Sequence, residues 1–370
     1  MGQFLTIMGH LGKSLMLKLV RSASLTHYAE IARASGLDPW RMLAEVGLPP
    51  ESLREVDLRI PAEKVALLLE LSAQRSEVET FGLRMAESRR ASNLGPLALA
   101  VRDEPTLRHA LNAAARYSHL QNEALFISVE EEANVAIIRE ELLAGQGVPV
   151  RQAAELALAV MFRLLRFFLG EEWRPKTVCF THGPPADRTV HTRVFGPNVE
   201  FGHAFTGIVC DVSDLRLPLP SADPVMGKYV RQYLGNADES ADVPLSDEVR
   251  KLVFLLLPSG RSSNETVAQQ LGMSRRTMHR HLADEGMTFS SILEAVRGEL
   301  ALRYLERRER PFAEVSGLLG FSEPSAFTRW FRSRYGCSPS QFEASVQSPV
   351  AKRRKGRTTP VEATRGKVSR

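Results

Sequence analysis

The sequence lacks the features that mark several large protein classes. Only three of its 370 residues are cysteine. Cys179, Cys210 and Cys337 are far apart and form no CxxC pair, which excludes a disulfide framework and points to structural thiols in a reducing compartment. No stretch approaches the roughly 18 consecutive apolar residues that a bilayer span requires. The first twenty residues are apolar, yet they contain Lys13 and Lys18 and lack a hydrophobic run ending in a small-residue cleavage site. Met8 and Met16 are alternative start positions, and residues 1–22 read as a poorly determined leader. There is no Gly-x-Ser-x-Gly elbow, Walker loop or dinucleotide fingerprint. The nine histidines do not cluster at ligand spacings, and His279 and His281, two apart on a helix, face different directions. The expectation is a cytoplasmic protein with no cofactor and no metal.

What is present fits two folded domains with tails, at 44% hydrophobic and 25% charged residues. Aromatics are sparse at 7%, and the abundance of Ala, Leu, Arg and Glu favours helix over sheet. The net charge of +5 conceals an asymmetry. Residues 1–249 have a balance of −6 and residues 250–370 one of +11, of which the last twenty supply +7. A near-neutral body joined to a basic C-terminal third suits a phosphate-binding module, although a basic tail can also serve only solubility.

Apolar spacings of three and four predict helices over Tyr28–Ser35, Pro61–Ser76 and Leu107–Leu120, with Thr106 placed to cap the last. Ala124–Ser128 and Asn134–Arg139, separated by the acidic cluster Glu130–Glu132, read as a hairpin. A long helix is expected over Arg151–Leu169, with Leu156, Val160, Leu164 and Phe167 along one side. Lys176–Phe180 and Thr206–Cys210 could join the hairpin in a small mixed sheet. The body ends near Leu219-Pro220, and the connecting segment 221–245 holds a short helix around Val225–Leu234 and a polar joint at Ala237–Val243. The predicted fold class is α+β and helix-dominated: a mixed α/β N-terminal domain over 23–220, then an all-α domain over 246–345. A basic, disordered tail takes 346–370.

The C-terminal third repeats itself. Val267-Ala268-Gln269-Gln270-Leu271-Gly272-Met273-Ser274 matches Val315-Ser316-Gly317-Leu318-Leu319-Gly320-Phe321-Ser322 at an offset of 48. Beyond the turn the offset is 49, with Met278, Arg280 and Leu282 answering to Phe327, Arg329 and Phe331. Each copy reads as a helix-turn-helix, over 265–286 and 313–336. A short helix buries a β-branched residue, a glycine takes the sharp turn, Met273 or Phe321 plugs the gap, and Ser274 or Ser322 offers a hydroxyl to the next helix.

The outer face of each second helix carries the chemistry: Arg275, Arg276, His279 and Arg280 in the first, Ser325, Thr328, Arg329 and Arg332 in the second. Arginine grips guanine bidentately at O6 and N7, and short hydroxyls contact bases or phosphates. A solvated helix face would look similar in one copy, but two copies with the same buried grammar favour recognition. Between them an apolar pattern over 290–308 (Ile292, Leu293, Val296, Leu300, Leu302, Leu305) makes a rod of roughly 28 Å. That is close to the ~34 Å between successive major-groove faces of duplex DNA.

The stretch Leu319-Gly320-Phe321-Ser322-Glu323-Pro324-Ser325-Ala326-Phe327-Thr328-Arg329-Trp330-Phe331, followed by Tyr335-Gly336-Cys337-Ser338-Pro339, resembles the signature of AraC/XylS-type transcription regulators. The first copy and its Glu285-Gly286-Met287-Thr288-Phe289 fit the same family, and the resemblance covers about 100 residues. It implies a base-contacting face on Arg276, His279 and Arg280 in the first unit and on Pro324, Ser325, Thr328 and Arg329 in the second. Gly317 departs from the alanine the family usually shows near this point. Phrases such as Gly36-Leu37-Asp38, Val46-Gly47-Leu48-Pro49 and Trp173-Arg174-Pro175 make roughly residues 23–220 similar to the arabinose-binding-like sensor domain of one branch of that family. The resemblance implies double-stranded promoter DNA, RNA polymerase and an unidentified small-molecule effector as partners, with a homodimer possible and no membrane.

Two other readings stay open from the residues. The first is an enzyme with a DNA-binding appendage, using Cys179 or Cys210 as a nucleophile. The second is a ligand-free architectural DNA-binding protein. His182, His191, His203 and Trp173 are candidates to line a pocket, and each equally serves packing or surface.

Overall fold

A computed structural model describes residues 18–145, 148–238, 244–307 and 310–344. The chain divides into two compact units between Val296 and Arg297. This boundary falls inside the expected rod rather than in the 221–245 connection.

In the first unit, β1 (Leu19–Arg21) pairs antiparallel with β2 (Arg59–Pro61). The folded body thus takes in residues that the sequence reading assigned to the leader. Six helices follow: α1 (Tyr28–Ala34), α3 (Ala62–Ser76) and α6 (Leu107–Tyr117) at the predicted segments, and α2 (Pro39–Val46), α4 (Phe81–Glu87) and α5 (Pro96–Arg102) between them. Thr106 occupies the N-cap of α6, but its hydroxyl pairs with His109 Nδ1 at 2.8 Å instead of a backbone N–H.

Five strands form one sheet: β3 (Leu125–Glu132), β4 (Val135–Leu142), β5 (Thr177–Phe180), β6 (Val199–Phe201) and β7 (Thr206–Asp211), in the order β3-β4-β7-β5-β6. Only β5 and β6 run parallel. The hairpin is longer than expected, because Glu130–Glu132 lie within β3 and the turn falls at Ala133-Asn134. Glu130 is accommodated inside because Arg139, across the hairpin, sits 3.2 Å from its carboxylate. Three residues in β6 were too few to show alternation in the sequence.

Helix α7 (Arg151–Leu169) lies against this sheet, burying Leu158, Phe162, Leu165 and Phe168. Phe162 contacts Phe195 of α8 (Thr189–Phe195) with centroids 5.4 Å apart. The stripe expected to face the core is rotated from this one: Leu156 is buried, Val160 and Leu164 are half-buried, and Phe167 is exposed. Helix α9 (Pro224–Asp238) is capped by the Asp223 carboxylate, which accepts from the N–H groups of Val225 and Met226 at 3.0 Å each. Most of the polar joint, 239–243, lies outside the described residues, as do 1–17 of the leader and the basic tail. Helix α10 (Leu245–Leu256) then packs on β3, with Lys251 Nζ 5.9 Å from the Phe126 ring centroid and Arg261 3.6 Å from Glu130.

A buried charge cluster fixes α7 to its neighbours. Glu155, fully buried, meets Arg151 Nε at 3.1 Å, His182 Nε2 at 3.1 Å and His191 Nε2 at 3.2 Å. Burial pushes the Glu155 carboxyl up, but hydrogen bonds from His182 and His191 outweigh it and hold the pKa at about 2. Removing one partner of such a cluster strands the others. Glu155→Ala is expected to cost roughly 3–5 kcal/mol in urea unfolding. Because the folded pKa lies below the unfolded value of 4.5, this carboxylate's contribution is complete above pH 4.5 and is lost as pH falls toward 2. Glu155→Gln should flatten the stability profile across that window.

Candidate nucleic-acid interface

The first helix-turn-helix is built from α11 (Asn264–Gln270) and α12 (Arg275–Asp284), both packed on α10. Val267, Ala268, Met278 and Leu282 are buried, as the repeat predicted. Ser263 and Ser274 cap the two helices, accepting from Thr266 N–H and Thr277 N–H at 3.1 Å each. Gly272 makes the turn at φ 66°, in the left-handed region that glycine enters without steric cost. The Glu285 carboxylate receives the N–H groups of Leu245 and Ser246 at 2.7 and 2.8 Å, anchoring the end of α12 to the start of α10.

The second copy uses aromatics for the same task. Helix α13 (Phe289–Arg307) runs for 19 residues and buries Ile292, Val296, Leu300 and Leu305. After it come α14 (Phe312–Leu318), a turn at Gly320 with φ 74°, and α15 (Pro324–Tyr335). Phe327, Phe331 and Tyr335 are buried, and Phe321 lies 5.8 Å from Phe327 and 5.4 Å from Trp330. The expected Ser322 cap does not form: Glu323 is the N-cap, without a side-chain bond, and Pro324 at the first helical position has no N–H to satisfy. Ser338 and Gln341 form a capping box, Gln341 N–H donating to Ser338 Oγ at 3.2 Å and Ser338 N–H to Gln341 Oε1 at 2.8 Å. That turn seats Phe342 5.8 Å from Phe331, which gives the Ser338-Pro339 phrase a structural purpose.

The residues singled out from sequence are exposed on the outer faces, with one exception. Arg275, Arg276, His279 and Arg280 are exposed on α12, and Pro324, Ser325, Arg329 and Arg332 on α15. Arg275 pairs with Glu265 at 2.7 Å, and His279 Nε2 lies 2.8 Å from Asn264 Oδ1. These two bridge α12 to α11, whereas Arg276 and Arg280 bond to nothing among the described residues. Thr328 is half-buried and its hydroxyl donates to the Pro324 carbonyl at 2.9 Å. Its polar atom is therefore already engaged by its own helix.

The candidate pocket residues do not gather. His182 and His191 meet at Glu155, Trp173 Nε1 donates to Asp214 at 3.1 Å, and His203 lies with Cys179 and Glu200, donor atoms within 4.8 Å of one another. The last group joins residues of β5, β6 and the loop after it, which sequence spacing did not reveal. Burial pushes the Cys179 thiol up to about 11, opposing the deprotonation that a metal ligand needs. The sequence also missed Arg89 and Glu140, which are buried yet line a partly open cavity.

At Gly317, in α14, an added Cβ would meet nothing within 4 Å. Gly317→Ala should stabilise that helix by about 1 kcal/mol, slowing amide exchange over 312–318 roughly fivefold. Gly320→Ala, at positive φ, should cost about 1–2 kcal/mol and speed the same amides.

Comparison with known proteins bears on both halves of the chain. Residues 36–219 match the family model described as the arabinose-binding domain of AraC transcription regulators, N-terminal, and residues 267–345 match a helix-turn-helix domain model. The chain is 31% identical over 329 residues to the HTH-type transcriptional regulator VirS of Mycobacterium tuberculosis, covering 88% of this chain and 96% of that protein. It is 30% identical over 268 residues to the ornithine utilization regulator of Pseudomonas aeruginosa, covering 71% and 78%. Among solved structures, the transcriptional regulator CdpR of Pseudomonas aeruginosa aligns over 85% of this chain and 98% of its own, at a TM-score of 0.41 and 19% identity. Among the described residues no helix is long and apolar enough to cross a membrane. With both domains matched and relatives of this length and identity, the chain belongs to the AraC family of DNA-binding transcription regulators.

Proposed function

We propose that this regulator reads two successive major grooves of promoter DNA, with α12 and α15 as its reading helices and an effector acting on the N-terminal body. The domains of this reading are 23–220 for sensing, 221–245 as the link and 246–345 for DNA. The observation that carries it is the outward exposure of Arg276, Arg280, Arg329 and Arg332 over buried anchors repeated in two units. Arg276, His279 and Arg280, with Ser325 and Arg329, are assigned to base edges. Arg275 and Arg332 are assigned to phosphates, with Pro324 and Thr328 shaping the start of the second helix. The 19 residues of α13 give a rod of roughly 28 Å, of the order needed to span adjacent grooves.

Promoter DNA, a small-molecule effector and RNA polymerase are the partners of this reading. Val225, Tyr229 and Tyr233 of α9 are exposed, and pairing of two copies would cover them. In this reading the chain acts in the cytoplasm, where promoter DNA is. The reading as a regulator without catalysis is supported by the two thiols once considered as nucleophiles. Cys179 and Cys210 are buried, and desolvation holds them at about 11 and 12, far from the thiolate form at neutral pH.

The test is selection of bound fragments from genomic DNA, followed by titration of the recovered site. Arg280→Ala and Arg329→Ala should each cost about 1–3 kcal/mol on that site and relax preference at one position. Equal losses on the recovered site and on random duplex would reject base reading by these residues.

A further inference from the structure

The N-terminal unit holds a partly open cavity of about 120 Å³ bounded by α3, α5, α7, β3 and β4. Most of its wall is aliphatic, with Leu69, Leu97, Ile127, Leu156 and Met161 among the lining residues. At about 10–15 Å³ per water position, it has room for on the order of ten non-hydrogen atoms. Two ionisable side chains line this apolar space from buried positions: Arg89, 7% exposed, and Glu140, 3% exposed.

Neither is satisfied by the protein. Arg89 donates through its two terminal nitrogens to the carbonyls of Ala23 and Ser24, and its Nε has no acceptor. No carboxylate pairs with it among the described residues. Glu140 Oε2 likewise has no donor. Their charge states differ. Burial lowers Arg89 only to about 10, so it stays a cation, whereas burial raises Glu140 to about 8, so at neutral pH it is mostly an uncharged acid. The cavity wall thus contains a buried positive charge at Arg89 with no counter-charge among the described residues, an arrangement that is costly until an anion enters, and the exposed Arg90 adds a second cation to the lining.

We propose that this cavity is the effector site and takes a small monocarboxylic acid with an apolar body of about eight carbons, sized to the cavity. Its carboxylate accepts from Arg89 Nε, and its chain lies along Leu69, Leu97, Ile127 and Leu156. The proposal rests on the reading of this domain as effector-responsive, and it names the chemistry of that effector. It also gives the ligand a lever. Successive residues of a strand face opposite sides, so Leu125 and Ile127 line the cavity while Phe126 and Glu130 face Lys251 on α10 and Arg261 after it. A ligand against the first face acts on the strand that supports the first helix-turn-helix.

Calorimetry on the full chain with octanoate, 1-octanol and octylamine tests the site. Octanoate should bind at least tenfold more tightly than either comparison compound. Arg89→Met should weaken octanoate at least tenfold and leave 1-octanol unchanged. Ala157→Phe, which places a ring in the cavity from α7, should abolish binding of both with the circular dichroism spectrum retained. Equal binding of octanoate and octanol, tightest binding of octylamine, or undiminished binding to Ala157→Phe would each overturn the assignment. Hydrogen exchange with octanoate bound should slow amides in both β3 and α10, and protection confined to the cavity wall would overturn the coupling. None of these readouts involves DNA, so their failure is separable from failure of base reading by Arg280 and Arg329.

Discussion

One edge strand constrains much of the first unit. Strand β3 presents Leu125 and Ile127 to an apolar cavity and Phe126 and Glu130 to the segment carrying α10 and Arg261. Period-two alternation makes those faces inseparable, because a one-residue slip would exchange them throughout. The buried pair Glu130–Arg139 pins the register of β3 on β4, since moving either side chain would leave a charge unpaired inside. Glu130, from the acidic patch that looked like a loop, therefore joins the sheet to the segment that follows α10.

The reading units depend on a different balance. Each short helix is too brief to stand alone and is stabilised by packing and caps rather than by propensity. In the first unit, Ser263, Ser274 and the Glu285 carboxylate satisfy helix ends. In the second, an aromatic cluster around Phe327, Phe331 and Tyr335 and the Ser338–Gln341 box do the equivalent work. Since the inner faces, the caps and the Arg275–Glu265 pair hold the helices, Arg276 and Arg280 are free of structural duty among the described residues. That separation lets one scaffold read different sequences by changing surface residues alone.

The buried polar groups of the N-terminal body differ in whether a group of opposite charge meets them among the described residues. Glu155 is met by Arg151, His182 and His191, so it reads as a structural junction between α7 and the sheet. Arg89 and Glu140 are left with unmet atoms in an apolar cavity. The proposed ligand would supply Arg89 with the counter-charge that it lacks among the described residues.

Local grammar was legible in the sequence wherever neighbours along the chain decide it. The helices at 28–34, 62–76 and 151–169, both glycine turns and the buried anchors of the repeat follow from spacings of three and four and from φ > 0 demands, and each is found as expected. So is the exposure of the arginine faces, because the partners of Met278 and Leu282 must lie on the opposite side. Tertiary contacts decided the rest. The third strand residue of a trio such as Val199–Phe201 gains meaning only beside β5, and Glu130 is tolerable inside only because Arg139 arrives from across the hairpin. The rotation of α7 followed from which face met the sheet and which the cavity, a choice its nearly all-round apolar sequence left open. Arg89 gave no sign of itself in the sequence, since burial of a charge depends on residues sixty or more positions away closing over it.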